Sequence, residues 1–202
     1  MRLFIQTFSL VLLINQSALA DEASSWLKTE IDFILNAYNN SSTTNETRFL
    51  IIENTINYNF AGAGIAKFVA GKAWAGAEKN TKKDYITSFK RHLALNVASL
   101  MKGYSNQEYK LINIKYDSKN KVSLIDMEIY NETGSLVVTW RVKKSKERYF
   151  VIDLLVADIS LVVTKRSEFN SMLKTVDYDL HEFNKLLKDQ NESSYNKFIK
   201  SN

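Results

Sequence analysis

Acidic side chains and histidines are the residues of this sequence that could do acid–base or metal chemistry. The 202 residues include two histidines, His92 and His181, which are far apart and lack a metal-ligand spacing such as His-x-x-x-His. Asp126 and Glu128 stand two residues apart on a predicted strand, so their side chains share a face. Paired carboxylates can act as acid and base, but the apolar residues that alternate with them favour a solvated strand face. Neither set predicts a metal site or a reaction.

Asp153 lies inside the apolar stretch from Tyr149 to Phe169, and its environment is the hardest to explain. It alternates with Val151 and Leu155, so we expect its side chain to point into the protein. A buried carboxylate must accept hydrogen bonds or take up a proton. We predict a structural hydrogen bond from the backbone or from a Ser or Tyr side chain, and not a catalytic role.

Glycine motifs and cysteine content exclude several further classes of site. Gly62-Ala-Gly64 lacks the third glycine of a dinucleotide fingerprint, and Gly71-Lys72 is followed by alanine where a phosphate loop has Ser or Thr. No Gly-x-Ser-x-Gly elbow is present. The lack of cysteine excludes a disulfide, a thiol nucleophile, a Cys-based metal site and a lipid-modified Cys anchor. We therefore predict that the protein is not an enzyme and has no catalytic residue, metal or cofactor.

The N-terminal segment is typical of a secretory signal peptide. Arg2 gives it a positive start, Leu3–Ile14 is apolar, and Ala18-Leu19-Ala20 forms a small-x-small cleavage site. The apolar run is shorter than the roughly 20 residues of a membrane-spanning helix, and a retained interfacial anchor is the alternative. We predict a signal peptide over residues 1–20, a single domain over residues 21–190 and a flexible tail over residues 191–202.

Charge and later hydrophobic runs favour an exported, soluble protein. Charged residues interrupt every apolar stretch after the leader before it is long enough to span a bilayer. The net charge of +5 is spread along the chain, which favours an ordinary solvated surface. Weak attraction to an anionic membrane or to an acidic partner is the functional alternative. Export argues against nucleic acid as a partner.

Apolar periodicity predicts helices in the first half of the chain. The first begins with Ser24 or Ser25 as its cap and runs to about Tyr38, and a second covers residues 46–57. A third helical stretch, residues 61–79, follows them in the sequence.

This third stretch places small residues at every fourth position, at Gly62, Ala66 and Ala70. Glycine costs a helix about 1 kcal/mol relative to alanine, so the pattern predicts close backbone packing. Thr81 and Asp84 predict a capping box for a helix that reaches about Met101.

The second half of the sequence changes to the alternation of strands. Four strands are predicted, over Tyr109–Asp117, Val122–Tyr130, Leu136–Lys143 and Tyr149–Ala157. Their short connections predict hairpins and hence an antiparallel meander. Helices return at Ser160–Lys174 and then from Asp177, as a cap, to about Asp189. Helices, a meander and again helices predict an α+β fold.

The last predicted strand is apolar on both faces. Alternation places Val151 and Leu155 on one face and the remaining apolar residues on the other, namely Phe150, Ile152, Leu154 and Val156. One explanation is that helices cover both faces of the sheet. The other is a curved sheet that closes over an apolar cavity holding a ligand.

Motifs in this region resemble those of the MlaC family, also called the toluene-tolerance auxiliary family. They are Phe150-Val-Ile-Asp153, Val156-Ala-Asp-Ile-Ser160, Leu161-Val-Val-Thr164 and Lys165-Arg-Ser-Glu-Phe169, with further blocks at Ile65–Trp74 and Tyr85–Phe89. The resemblance is clearest from Phe60 to Leu187. Asp158 stands where the family commonly has Gly, and Asp tolerates a left-handed backbone better than most residues do. Ala61 stands where the family often has Asp.

The resemblance implies a soluble periplasmic phospholipid carrier. Its expected fold is a curved four-stranded antiparallel meander with helices packed against it, enclosing an apolar cavity for the acyl chains. The expected partners are an outer-membrane lipoprotein–porin complex and an inner-membrane ABC transporter with its membrane-anchored substrate-binding subunit, and the carrier is expected to be a monomer.

Ile159 is the pocket residue that the resemblance implies most directly. The other predicted lipid-binding residues follow from face and period: Leu136, Val138, Trp140, Val151, Leu155, Phe68, Val69, Trp74, Phe89, Leu93 and Val97. A carrier of another lipid, such as a hopanoid or sterol, would use the same cavity. A hydrolase or isomerase would need a convergent polar set, for which only Asp153 is available. A ligand-free interaction module would have a packed core instead.

Overall fold

The structure is a computed structural model that describes residues 2–40, 42–102, 107–132 and 134–200. The chain divides into two compact units. The sheet unit comprises Met1–Asp32 and Gln107–Ile159, and the helical unit comprises Phe33–Asn106 and Ser160–Asn202. Each unit therefore combines two separate stretches of the sequence. The predicted single domain over residues 21–190 stays a prediction.

An open antiparallel sheet of five strands, in the order β1-β2-β3-β4-β5, forms the centre of the sheet unit. The strands are β1 (Glu108–Asp117), β2 (Val122–Asn131), β3 (Gly134–Ser145), β4 (Arg148–Val156) and β5 (Ile159–Ser160). Neighbouring long strands pair antiparallel through short connections. The predicted four-stranded meander is confirmed, and the two-residue β5 adds a fifth strand at its edge.

The pairing register decides which side chains share a face of this sheet. Trp140 of β3 pairs with Ile125 on one side and Leu154 on the other, and directly paired residues point to the same face. We call this side the apolar face. On β2, β3 and β4 it consists of Ile125, Met127, Ile129, Leu136, Val138, Trp140, Val142, Val151, Leu154 and Val156.

A β-bulge in β4 changes the predicted faces of that strand. Val151 pairs with Val142 and Asp153 pairs with Arg141, which leaves Ile152 as the extra residue. Alternation therefore shifts by one position between Val151 and Leu155. Leu155 pairs with Thr139 on the opposite, polar face. The prediction that Val151 and Leu155 share a face is wrong.

Helix α1 (Arg2–Asn39) begins far earlier than the sequence pattern predicted. Ser24 does not cap it, because its hydroxyl donates to the carbonyl of Asp21 inside the helix. Ala23, Leu27 and Ile31 are buried at helical spacing. In the described part of the chain, no helix combines the length and the apolar content needed to cross a membrane.

Six helices belong to the helical unit, and several begin or end elsewhere than predicted. They are α2 (Asn45–Asn59), α3 (Gly62–Ala70), α4 (Ala73–Gly76), α5 (Lys79–Met101), α6 (Leu161–Lys174) and α7 (Leu180–Lys200). The stretch 61–79 is broken at Gly71, whose φ of +56° lies in the left-handed region. The predicted capping box of Thr81 and Asp84 is wrong, because α5 begins two residues before Thr81.

The end of the chain is helical where the sequence predicted a flexible tail. Asp179, and not Asp177, caps α7, since its carboxylate accepts hydrogen bonds from the backbone of His181 and Glu182. Helix α7 then continues to Lys200, and Asn191 and Phe198 are buried in it. The prediction is wrong for residues 191–200, and residues 201–202 lie outside the described part.

Two apolar clusters form the core of the helical unit. The larger contains a group of aromatic rings, Tyr85, Phe89, Phe169 and Phe183, and the smaller contains Phe49, Ile52, Ile56 and Phe198. The small-residue stripe has a close neighbour at Gly62, but this neighbour is a side chain and not the backbone that was predicted. A Cβ there would lie 2.8 Å from Cγ of Lys90, so only glycine lets the Lys90 side chain approach this closely.

Candidate functional site

The apolar face of the sheet is covered unevenly. Val138 and Val151 are buried, whereas Leu136, on the same face at the start of β3, is 47 % exposed. Trp140 lies between Val138 and Val151 and is partly buried, and its buried indole Nε1 has no acceptor in the part of the chain that the structure describes. The face therefore contains both an exposed apolar side chain and an unsatisfied N–H donor. Sequence reasoning identified Trp140 as apolar lining but gave no sign that its N–H lacks a partner.

Helix α1 is attached to this face by polar contacts from two of its turns. Glu22 accepts hydrogen bonds from the hydroxyl of Tyr149 at 2.6 Å and from Lys144 at 3.0 Å. These donors hold the pKa of the Glu22 carboxyl below its usual value. Asp32, ten residues later, accepts a hydrogen bond from Tyr109 at 2.5 Å. The ring of Trp26 stacks on Tyr149 at 5.7 Å.

These contacts place α1 across the strands. Tyr149 is the second residue of β4, and Tyr109 is the second residue of β1, at the other end of the sheet. The helix segment from Glu22 to Asp32 thus runs between opposite corners. The start of β3 lies at the same end of the sheet as Tyr109 but two strands away, and Leu136 there keeps its exposure.

A strained turn leads from β4 into α6 and presents Ile159. Ala157 and Asp158 have φ angles of +48° and +63°, so the left-handed backbone considered for Asp158 is confirmed. Ile159 follows and is 62 % exposed. Ser160 then caps α6, because its hydroxyl oxygen accepts a hydrogen bond from the N–H of Val163 at 3.1 Å. The motif residue Ser160 therefore has a local role in starting the helix.

The predicted lipid-binding residues of the helical unit do not form one surface. Val69 and Phe89 are fully buried in the larger cluster, with Trp74 and Leu93 packed against it. Val97 packs against the smaller cluster. A ligand would reach Val69 or Phe89 only if the core opened, and their assignment stays a prediction.

Phe68 is the exception among these residues, because it is 42 % exposed. The guanidinium of Arg166 lies 4.4 Å from the centre of its ring. This contact is a cation–π interaction that covers one face of the ring and leaves the rest accessible.

The acidic side chains of the sheet are held in structural contacts. Asp153 is 4 % exposed, and its carboxylate accepts hydrogen bonds from the N–H of Leu154 at 2.8 Å and from Arg141 at 3.3 Å. The predicted structural role of Asp153 is confirmed.

Asp126 is bound in a similar way on the polar face. It accepts hydrogen bonds from the hydroxyl of Thr139 at 2.7 Å and from the amide of Asn113 at 3.2 Å. Glu128 pairs with Lys110, whose hydrogen bond lowers the pKa of the carboxyl. Among the described residues, no three His, Cys, Asp or Glu side chains are grouped so as to hold a metal ion.

The helical unit also contains an open cleft that sequence reasoning missed. It has a volume of about 700 Å³ and lies between the α4–α5 segment and the turn before α7. The ammonium of Lys72 lies 3.3 Å from the ring centre of Tyr178 in its wall. Glu78, Asp177 and His181 also line it, which makes it a charged cleft. None of the predicted lipid-binding residues is in its lining.

Comparison with known proteins identifies a matching family and a solved structure of similar fold. The family model described as MlaC protein matches residues 28–189. No curated protein matches the chain. A solved phospholipid-binding protein from Ralstonia solanacearum, in complex with a phospholipid, has a similar structure with a TM-score of 0.72. The two chains are 15 % identical, and the similarity covers 86 % of this chain and 98 % of the other.

Proposed function

The chain belongs to the MlaC family, and we propose that it is a periplasmic carrier that moves phospholipid between the outer and the inner membrane. The family match over residues 28–189 carries the proposal. The shared fold with a protein solved with a bound phospholipid supports it. Each acyl CH₂ that leaves water contributes roughly 0.8 kcal/mol, so a lipid cannot cross an aqueous space unless a protein shields its chains.

Leu136 and Ile159 are the residues of the sheet unit that we propose as acyl-chain contacts. Both are large aliphatic side chains with much of their surface in water. Because each is already about half buried, covering the rest of such a side chain contributes roughly half of the 1.5–3 kcal/mol that full burial gives. Val138, Trp140 and Val151 extend the same apolar surface from Leu136. Leu155 is the weakest of the proposed contacts, because it lies on the polar face.

The indole of Trp140 adds a polar contact to this proposal. Its buried N–H has no acceptor, and an unsatisfied buried donor costs about 1–3 kcal/mol. An ester carbonyl of a phospholipid would accept this hydrogen bond. A sterol hydroxyl could accept it as well, so the family match, and not this hydrogen bond, favours phospholipid over the alternative cargo.

The partners and the cellular route belong to the same proposal. We infer that the outer-membrane lipoprotein–porin complex and the inner-membrane ABC transporter exchange lipid with this carrier, as the family assignment suggests. The leader over residues 1–20 would direct export and be removed after Ala20. The occupied carboxylates of the sheet, Asp126, Glu128 and Asp153, favour a carrier over an enzyme.

The direct test is to identify the cargo. The chain is expressed with its leader, purified from the exported fraction and extracted with organic solvent, and the extract is analysed by mass spectrometry. We expect phospholipid at close to one molecule per chain. A sterol or hopanoid would replace the cargo assignment, and an empty extract with no uptake from phospholipid vesicles would rule out the carrier function.

A pair of variants tests where the lipid binds. Ile159→Glu would place a carboxylate among the acyl chains and should abolish lipid retention, since burying a charge without a partner costs several kcal/mol. Leu100→Glu is the matched control, because Leu100 is 76 % exposed and is not a proposed contact. Circular dichroism verifies that both variants fold. Wild-type lipid content in Ile159→Glu would refute the assigned contact.

A further inference from the structure

The two hairpins at one end of the sheet hold a concentration of basic residues. The segments 115–121 and 143–148 contain seven basic residues and two acidic ones. Their net charge of +5 equals that of the whole 202-residue chain. We call these two segments the basic end. Its members are Lys115, Lys119, Lys121, Lys143, Lys144, Lys146 and Arg148.

Strand pairing brings the two segments together. Ser123 of β2 pairs with Val142 of β3, so the turn that precedes β2 lies beside the last residues of β3. Both turns are therefore at the same end of the sheet. Lys121 and Lys146 have φ angles of +54°, the left-handed backbone that tight reverse turns require. Both lysines therefore lie in the turns, and both are exposed to solvent.

The basic residues of this end are exposed, and most of its lysines form no salt bridge with the described residues. All seven side chains are exposed to solvent. Of its six lysines, Lys144 is the one that forms a salt bridge among the described residues, with Glu22. Neutralisation within the protein is therefore incomplete, and the local potential is positive.

The opposite end of the sheet has the opposite charge. Glu108, Glu128 and Glu132 lie at or near the β2–β3 turn. Asp32 of α1 adds a fourth acid through Tyr109, and Lys110 and Lys28 are nearby basic residues. A strand of ten residues is roughly 30 Å long, which is about three Debye lengths at physiological salt. The sheet is thus polarised along its strands, and its charge would orient it on a charged surface.

We propose that the basic end docks the protein onto the anionic headgroup surface of a phospholipid bilayer. Lysines outnumber arginine six to one in it, whereas protein–protein interfaces are depleted in lysine and enriched in arginine and aromatic residues. Projecting lysines suit a diffuse layer of phosphates, to which each contributes about 1 kcal/mol. The proposal does not depend on the cargo assigned above, because it concerns headgroups outside the protein and not enclosed acyl chains.

Vesicle flotation tests the proposal with the full chain. One set of vesicles is pure phosphatidylcholine and the other contains equal parts of phosphatidylcholine and phosphatidylglycerol. We expect binding to the anionic set alone and loss of binding in high salt. The variant Lys119→Gln/Lys121→Asn/Lys146→Asn removes three charges, and asparagine keeps the left-handed turns accessible. Its affinity for anionic vesicles should fall about a hundredfold.

A control variant separates local charge from total charge. Lys79→Gln/Lys83→Gln/Lys188→Gln removes three exposed lysines of the helical unit and should bind as the wild type does. An equal loss in both variants would overturn the proposal, because net charge alone would then explain binding. Binding to soluble polyglutamate through the basic end, without binding to vesicles, would also overturn it and indicate an acidic protein as the partner. Lipid content, measured separately by mass spectrometry, reports on the carrier function independently.

Discussion

His92 connects three helices through one buried side chain. Its Nδ1–H donates to the amide oxygen of Asn191 at 3.3 Å, and the Asn191 amide nitrogen donates to the carbonyl of Ser88 at 2.8 Å. The imidazole also meets the ring of Phe169 edge-on at 5.4 Å. Helices α5, α6 and α7 are thereby fixed against one another at a single point. An imidazole in this position is a structural group and not a candidate ligand.

This environment predicts a loss of stability in mild acid. Burial, together with the charge of Lys165, lowers the pKa of His92 to about 4, although the hydrogen bond to Asn191 and the charge of Glu168 oppose the shift. The unfolded chain, with a histidine pKa near 6.5, therefore binds the proton more readily than the folded chain. The free energy of unfolding should fall by up to about 3 kcal/mol as pH decreases from about 6.5 to 4. Urea titrations at several pH values measure it.

His92→Gln provides the control for this prediction. Glutamine can still hydrogen-bond to Asn191 but has no proton to gain in this range. The variant should lose much less stability than the wild type over the same pH interval. Parallel curves for the two proteins would mean that carboxylates, and not His92, cause the acid sensitivity.

Single residues could be interpreted from the sequence when their chemistry allowed few solutions. Asp153 is such a case, because a carboxylate in an apolar strand needs donors, and the structure supplies a backbone N–H and Arg141. The left-handed backbone at Asp158 is another. The unsatisfied indole of Trp140 was beyond prediction, because a missing partner depends on which distant side chains fold around the ring.

Helices and strands were predicted correctly where the apolar pattern repeats over many residues. They were predicted wrongly where a single inserted residue shifts that pattern by one position. The meander of four strands follows from alternation and short turns. The bulge at Ile152 moves the following side chains of β4 to the opposite face of the sheet from the one predicted. No residue type in the sequence indicated this bulge, because a bulge depends on how two strands pair. The face of Leu155 was therefore lost although the strand itself was located correctly.

Helix ends show a similar limit. A cap requires only a Ser, Thr, Asp or Asn near the start, and such residues are frequent in this chain. Ser24, Thr81 and Asp177 were plausible caps, but Ser160 and Asp179 are the ones that accept backbone hydrogen bonds. Tertiary packing extends α7 past its predicted end by burying Phe198.

The final turns of α7 should therefore contribute to stability. Phe198 is buried against Phe49, with ring centres 6.2 Å apart, and Lys102 lies 4.5 Å from its ring centre. Phe198→Ala should lower the free energy of unfolding by about 3–5 kcal/mol through the lost burial and the cavity. Leu186→Ala, on the same helix but 44 % exposed, should change it by less than about 1 kcal/mol. Chemical denaturation distinguishes them, and equal small effects would restore the interpretation of a frayed tail.

At the scale of the whole molecule, the fold class follows from the order of elements, whereas the charge distribution does not. The basic residues are dispersed along the sequence, and no run of them suggested a patch. The segments 115–121 and 143–148 become neighbours only when β2 pairs with β3. The family could be predicted from the sequence because its motifs extend over most of the chain. The family match over residues 28–189 confirms that prediction. The positions of individual acyl contacts are a finer property that motifs do not specify.

Bound cargo should be visible in the stability of the whole protein. A ligand that binds only the folded state adds RT ln(1 + [L]/Kd) to the free energy of unfolding, which is about 4 kcal/mol at a thousandfold excess over Kd. Removing lipid with detergent, followed by detergent removal, should therefore lower the midpoint of thermal unfolding by several degrees. Incubation with phospholipid vesicles should restore it.

The paired variants make this last prediction specific to the site. Leu136→Glu places a charge on the apolar face beside Trp140, so its midpoint should be the same before and after lipid treatment. Leu186→Glu alters an apolar side chain of similar exposure on α7 and should keep the full response to lipid. Calorimetry of the four samples gives the answer. If the midpoint of Leu136→Glu still rises with phospholipid as the wild type does, then the lipid does not bind at the exposed end of the apolar face, because a carboxylate buried among acyl chains would oppose binding by several kcal/mol.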